Sequence, residues 1–281
     1  MKGLLVVNRF LHSDKFDELS TYFLKAADKL NIRLELVTNA SYKTDWKSAD
    51  FVLFWDKDIL LAKWLEMQKI PVYNSASAIE ICDDKAKTWL ALERKGIPTP
   101  KTIPAPMTYS GIGYTELSFV EDIIREFSFP LIMKESFGSF GQQVYLVNNK
   151  SELTKKVKEL EGKPFLFQEY IGESKGKDIR LQVVGNRVVA SMYRYSEDDF
   201  RANITNGGHM KAYEPTSQEI ELAICAAGAV GADFAGVDLL FGKDGPLVCE
   251  VNSNAHFINI LKCTGVDTSM EIMKYIQNGV S

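Results

Sequence analysis

Apolar runs of strand length alternate with stretches whose apolar residues recur every three or four positions through the first third of the chain. Residues 3–8, with their apolar run at 4–7, read as a buried strand, and from 14 to 30 Phe16, Leu19, Phe23, Ala26, Ala27 and Leu30 fall on one helical face. Residues 33–37 and 51–55 repeat the strand pattern, 59–68 the helical one, and 72–73 a last short strand. This β-α-β rhythm predicts a small parallel sheet covered by helices. The first strand is followed by Asn8-Arg9-Phe10-Leu11, with no GxGxxG, which argues against a dinucleotide site there.

Further on the pattern changes. Asp83 or Asp84 is the natural N-cap of a helix that runs to Lys95 and stops at Gly96 and Pro98. Residues 98–113 are rich in Pro and Gly and read as a surface connection. A helix from 119, a strand over 130–134, a glycine-containing loop, a strand over 144–147, a helix over 151–160 and a strand over 165–171 follow. Then come a hairpin across Gly185-Asn186, a polar loop over 196–209 and a helix over 217–230. Two strands, 234–241 and 247–251, meet at Lys243-Asp244-Gly245 before a C-terminal helix. Hairpins mixed with helices make this part α+β, attached to an α/β start.

Composition narrows the function classes. The 281 residues are 46% hydrophobic and 25% charged, as in ordinary globular domains, and 33 basic against 37 acidic side chains give a net charge of −4. A surface built for nucleic acid or anionic membrane would be basic, so neither partner is expected. Residues 222–241 are interrupted by Asp233 and Asp238, so no membrane span is expected. The apolar run at 4–7 is too short for a secretory leader. Cys82, Cys225, Cys249 and Cys263 are scattered without a CxxC pair, the pattern of a reducing compartment, and a cytoplasmic location is expected.

Candidate chemistry concentrates at the last hairpin. Alternation puts Glu250 and Asn252 on one face of their strand, about 7 Å apart. A hairpin centred on Asp244 sets Asp238 opposite Glu250, on that same face. Two carboxylates so placed repel. Either Mg²⁺, completing its octahedron with phosphate oxygens, fills the gap, or a Lys or Arg from elsewhere neutralises the pair, or a bulge shifts the register. A second signal is Lys134, a lone charge ending Leu131-Ile132-Met133 and followed by the glycine loop at 137–142. Glycines let a backbone approach phosphates and a lysine supplies charge; the plain alternative is a hairpin loop with a snorkelling lysine. Gln168-Glu169-Tyr170-Ile171 ends an apolar strand. Arg180, Arg194 and Arg201, with Asn203, offer planar forks for carboxylate or phosphate, although Asp178 and Arg180 share a strand face and read equally as an ion pair.

In this order the segments resemble an ATP-grasp enzyme, and most closely the RimK-type carboxylate–amine ligases. The likeness rests on Asp84-Lys85, Lys134 with its loop, Gln168-Glu169-Tyr170-Ile171, Asp178-Ile179-Arg180, Asp199-Phe200-Arg201-Ala202-Asn203, Gly207-Gly208, Ala235-Gly236-Val237-Asp238 and Glu250-Val251-Asn252. It implies three parts: an N-terminal α/β domain over 1–82, a middle subdomain over 83–167 and a C-terminal subdomain over 168–281, the last two clamping ATP. It implies that Lys85, Lys134 and the loop residues Gly138, Ser139 and Gly141 contact phosphates. Gln168 would belong to the cofactor site, the strand Glu169, Tyr170 and Ile171 would hold adenine by its backbone, and Asp178 would reach the ribose. Arg180, Arg201 and Asn203 would carry catalysis, and Asp238, Glu250 and Asn252 would hold Mg²⁺, with Mn²⁺ as a substitute. The implied reaction passes through an acyl phosphate to an amide, with a small-molecule, amino-acid or peptide substrate; the resemblance leaves the oligomeric state open. No covalent nucleophile is needed, and His12, His209 and His256 form no catalytic pattern. The chain departs from many relatives in reading Ser253-Asn254-Ala255-His256-Phe257 after the metal strand. The alternative is a protein that keeps the fold and binds ATP without turnover.

Overall fold

Three sheets divide the chain, and the first follows the apolar runs of its N-terminal third. Strands β1 (Lys2–Val7), β2 (Arg33–Thr38), β3 (Phe51–Phe54) and β4 (Val72–Tyr73) pair in parallel in the order β2-β1-β3-β4. Helix α1 (Asp14–Lys29) buries Leu19, Phe23, Ala26 and Ala27, the face its periodicity marks, and α2 (Ile59–Met67) buries Ala62 and Leu65 on the other side of the sheet. The structure, a computed structural model, describes residues 1–11, 13–139, 141–204 and 207–280. His12, and Phe140 of the glycine loop, lie outside the described residues.

Helix α4 (Lys85–Glu93) starts at the predicted cap: the Asp84 carboxylate accepts from the N–H groups of Ala86 and Lys87. A separate helix that the sequence reading omits, α3 (Ala76–Asp83), precedes it, capped by the Ser75 hydroxyl. Leu92 and Ile97 pack into the core of the C-terminal sheet.

The middle sheet is antiparallel, in the order β5 (Thr102–Pro104), β8 (Phe165–Glu169), β6 (Leu131–Glu135), β7 (Val144–Val147). Helices α5 (Ser118–Glu126) and α6 (Lys150–Glu159) cover one face and share with the sheet a separate core that includes Phe127, Met133, Val157 and Phe167. Strand β5 lies inside the predicted connection, so part of that Pro-rich stretch extends the sheet edge.

The C-terminal sheet runs β11 (His209–Ala212), β10 (Arg187–Tyr195), β9 (Lys177–Val184), β12 (Phe234–Gly242), β13 (Gly245–Asn252), all neighbours antiparallel. One face carries α7 (Ser217–Ala229), started by a capping box between Thr216 and Glu219. The other face is shared with the N-terminal domain: Trp55 stacks on Phe234 at 5.7 Å, and Phe23 and Phe257 complete that cluster. Asn74 fastens the joint, donating to the carbonyls of Phe234 and Ser253 and accepting from the N–H of Asp233. The predicted single C-terminal helix is two, α8 (Ile258–Thr264) and α9 (Thr268–Val280), parted at Gly265 with φ +75°. Among the described residues, no helix is long and apolar enough to cross a membrane.

Candidate active site

A cleft opens between the middle and C-terminal sheets, a concave place of the kind that small molecules occupy. Its walls contain all but two of the residues to which the resemblance assigns a role: Lys85, Lys134, Gly138, Ser139, Gly141, Gln168, Glu169, Tyr170, Ile171, Asp178, Arg201, Asn203, Asp238 and Glu250. Arg180 and Asn252 stand behind the wall. Arg180 reaches Asp238, and Asn252 turns its amide N–H toward the Gly236 carbonyl at 3.5 Å.

One wall is a hydrogen-bonded quartet. Arg180 donates two bonds of 2.6 Å to the Asp238 carboxylate, and Arg194 donates at 2.6 and 2.8 Å to Asp178. Arg194 also lies 3.0 Å from Asp238. Sheet register makes these pairs, since Asp238 faces Arg180 across β12 and β9, and Asp178 faces Arg194 across β9 and β10. The alternative of an ion pair between Asp178 and Arg180 along one strand is therefore replaced by two cross-strand forks. Burial by itself would raise the Asp238 carboxyl, but the two guanidiniums hold it below the usual carboxylate range.

Asp238 faces Glu250 as expected, by a route that differs in detail. Gly242 pairs with Gly245, so the turn holds two residues, and a bulge at Cys249 then restores the Asp238–Glu250 pairing. Cations from elsewhere answer both acids: Arg180 and Arg194 at Asp238, and Lys85, whose Nζ is 3.8 Å from Glu250. Among the described residues, no group of three or more His, Cys, Asp or Glu is assembled to hold a metal ion. Glu250 nevertheless receives no hydrogen bond from a described residue, and the Asn252 amide orientation leaves its Oδ1 as an acceptor. These two oxygens fit a hard cation that takes its other ligands from phosphates and water. Asp238 can join it only by sharing an oxygen already held by guanidinium.

The opposite wall is cationic. Lys134, 7% exposed on β6, has no carboxylate within salt-bridge distance among the described residues; its nearest polar neighbour is the Cys249 sulfur at 3.5 Å. Lys85 donates to the Gly138 carbonyl at 3.0 Å, and burial pushes its ammonium below the ordinary lysine value. Arg201 donates to the Gly141 carbonyl at 2.6 Å while pairing with Asp199. Gly138 and Gly141 have φ of +136° and +71°, and a Cβ on Gly141 would stand 2.6 Å from the Asn203 Oδ1; only glycine allows that approach. The loop thus lies against Lys85 on one side and Arg201 and Asn203 on the other.

Beyond Glu169 no strand pairs with the chain, so Tyr170 and Ile171 carry main-chain groups along the cleft free of the sheet ladder. The Gln168 side chain is turned away, donating to the Thr102 hydroxyl at 2.9 Å. Ile132, Val144 and Leu240, passed over in the sequence because isolated apolar strand residues carry no signal, give the cleft an apolar surface suited to a flat ring. Arg194, one of the three planar forks, also lines it, as do Lys177, Ser174, Gln143, Phe200, Ala202 and Cys249, to which the sequence assigns no role. His209 lies on β11 beside Tyr195, and His256 meets the Lys15 carbonyl at 3.2 Å; neither lines the cleft.

Two sheets closing on a cleft with a glycine loop, buried lysines and an acidic hairpin define the ATP-grasp class. Residues 82–276 match the model of the RimK-like ATP-grasp domain, and the chain belongs to that family. Among its relatives, "Uncharacterized protein MG012 homolog" of Mycoplasma pneumoniae is 36% identical over 241 residues, 82% of this chain and 83% of that one. "Probable alpha-L-glutamate ligase" of Coxiella burnetii is 37% identical over 221 residues, 77% of this chain and 70% of that one. In fold, the chain is similar over its full length to the whole of D-cycloserine synthetase DcsG, with a TM-score of 0.80 at 15% identity.

Proposed function

We propose that the protein is an ATP-dependent, ADP-forming carboxylate–amine ligase that makes an amide bond through an acyl phosphate. The observation that carries this reading is the unequal division of charge in the cleft. The quartet wall is internally neutral, whereas Lys85 and Lys134 line the cleft beside the glycine loop with Glu250, 3.8 Å from Lys85, as the one carboxylate within salt-bridge distance of either among the described residues. Such a surplus suits a polyphosphate.

In the first step a substrate carboxylate oxygen bonds to the γ-phosphorus. The bond from that phosphorus to the β,γ-bridging oxygen breaks, and ADP leaves with the electron pair. An amine nitrogen then attacks the acyl carbon, the carbon–oxygen bond to phosphate breaks, phosphate departs with its electrons, and the nitrogen releases a proton. Lys85, Lys134 and Arg201 neutralise and align the transferring group, which is the main demand of phosphoryl transfer. Tyr170 and Ile171, with Ile132 and Leu240, hold the adenine, and Asp178 faces the ribose. Glu250 and Asn252, with Asp238 sharing, would hold Mg²⁺, which would neutralise phosphate charge when bound. Relatives named glutamate ligases support an amino-acid substrate, joined to a small molecule or a peptide. The test is ADP release in the presence of ATP, Mg²⁺ and a panel of amino acids and short peptides. Release that requires both a carboxylate and an amine is expected. Binding of ATP with no release from any pair would leave the non-catalytic ATP-binding reading in its place.

A further inference from the structure

The cleft accounts for its phosphate-facing cations but names none for the carboxylate that must come up to the γ-phosphate. That group is an anion approaching an anion, so it needs a positive partner of its own. Arg180 and Arg194 are taken up by Asp238 and Asp178, Arg201 by Asp199 and the loop, and Lys85 and Lys134 face the loop and Glu250. Lys177 sits over the Phe241 ring.

One further cation stands at the mouth, and it comes from the N-terminal domain. Lys57 follows the carboxyl end of β3, the edge of a parallel sheet outside which ligands bind in open α/β folds. Its ammonium lies 3.5 Å from the hydroxyl of Ser139 on the glycine loop. It is paired with Asp83, just ahead of α4, and its side chain is 48% exposed. With its lysine end open to water, the pair contributes little to stability and the ammonium can exchange partners. Its charge is felt at Lys85, as is that of Glu250. The wall beside it is polar and incompletely satisfied. The Asn254 amide donates to the Asp56 carbonyl at 2.9 Å, but its Oδ1 is buried without a hydrogen-bond partner. The Asp56 side chain is buried, and among the described residues its carboxylate accepts from the Asn8 amide and the Lys57 N–H.

We infer that Lys57 is the substrate-carboxylate clamp: it leaves Asp83 and holds one oxygen of the incoming carboxylate beside Ser139, turning the other toward the γ-phosphate. This assignment rests on the ligase reading above. It explains how the N-terminal domain, which contributes nothing to the nucleotide cleft walls, takes part in the reaction.

Hydroxylamine trapping tests it, because hydroxylamine replaces the unknown amine and reports carboxylate activation alone. Wild type, Lys57→Met, Lys57→Arg and Asp83→Asn are each given ATP, Mg²⁺, hydroxylamine and a panel of amino acids and dicarboxylates, with melting temperature followed in parallel. Loss of one charge-assisted bond predicts that Lys57→Met raises KM for the activated carboxylate about ten- to a hundredfold. KM for ATP and the melting temperature stay at wild-type values, Lys57→Arg recovers part of the loss, and Asp83→Asn does not reproduce it. An unchanged carboxylate KM in Lys57→Met overturns the assignment while leaving the ligase reading intact. So does an equal loss in Asp83→Asn, which would reduce Lys57 to a structural ion pair. If wild type binds ATP but forms hydroxamate from no carboxylate, the ligase reading itself fails and the clamp falls with it.

Discussion

The two walls of the cleft carry charge in opposite ways. On the C-terminal sheet Asp178, Asp238, Arg180 and Arg194 form two buried forks joined by a third contact, and every charge has a partner within the protein. On the side of the glycine loop, Lys134 is equally buried but among the described residues its ammonium bonds only to a thiol sulfur, and Lys85 stands 3.8 Å from Glu250. The first arrangement is complete as folded and sets geometry. The second is incomplete without an anion and is where binding free energy resides.

The largest expected effect breaks the complete wall. Replacing Arg194 by Met leaves Asp178 buried and unforked and removes one partner of Asp238, so urea unfolding should show a loss of about 3–5 kcal/mol. A loss below about 1 kcal/mol would mean that water already screens the quartet. Next is Glu250→Gln. It should leave folding intact and lower Mg²⁺-dependent ADP release at least a hundredfold, on the order of losing an electrostatic stabiliser of the transition state. Full activity would move the metal away from the hairpin.

Lys134→Ala should weaken ATP binding by about tenfold or more in calorimetric titration, with folding stability little changed, because the lysine has no carboxylate within salt-bridge distance among the described residues. The smallest effect is a pH dependence. Burial holds the free Lys85 ammonium below its ordinary value, and bound polyphosphate raises it again. Affinity for ATP is therefore full below the free-protein value and falls as pH rises through it, at lower pH than an exposed lysine would give. Titrations from neutral to alkaline pH check this, and Lys85→Arg should flatten the curve, since guanidinium keeps its charge.

The same contrast marks how far the sequence could be read. The lysine wall was legible because each piece is local: a cap at Asp84, a lone charge ending an apolar strand, glycines after it. The quartet was legible in composition but not in pairing. Asp178 and Arg180 lie two apart on one strand, and only the order β10-β9-β12 gives each a cross-strand partner. Asp238 and Glu250 were matched correctly through two compensating departures, a shorter turn and a bulge at Cys249, neither of which hydropathy encodes. Strand β5 was hidden by the prolines around it, although three residues suffice to extend an edge. Strand β11 was hidden by its polar edge sequence His-Met-Lys-Ala. Nothing local in the sequence distinguishes Lys57; its place opposite Ser139 comes from packing the N-terminal domain onto the C-terminal sheet through Trp55, Phe234 and Asn74.

The central claim, that the unbalanced wall is a Mg-ATP site, is tested most directly by thermal unfolding of the wild-type protein with ATP, with and without Mg²⁺. A ligand bound only to the folded state at about one hundred times its dissociation constant adds about 2.7 kcal/mol, a readable rise in melting temperature. The account predicts that rise, larger when Mg²⁺ is present. An unchanged melting temperature with ATP, in either condition and at millimolar concentration, would contradict it.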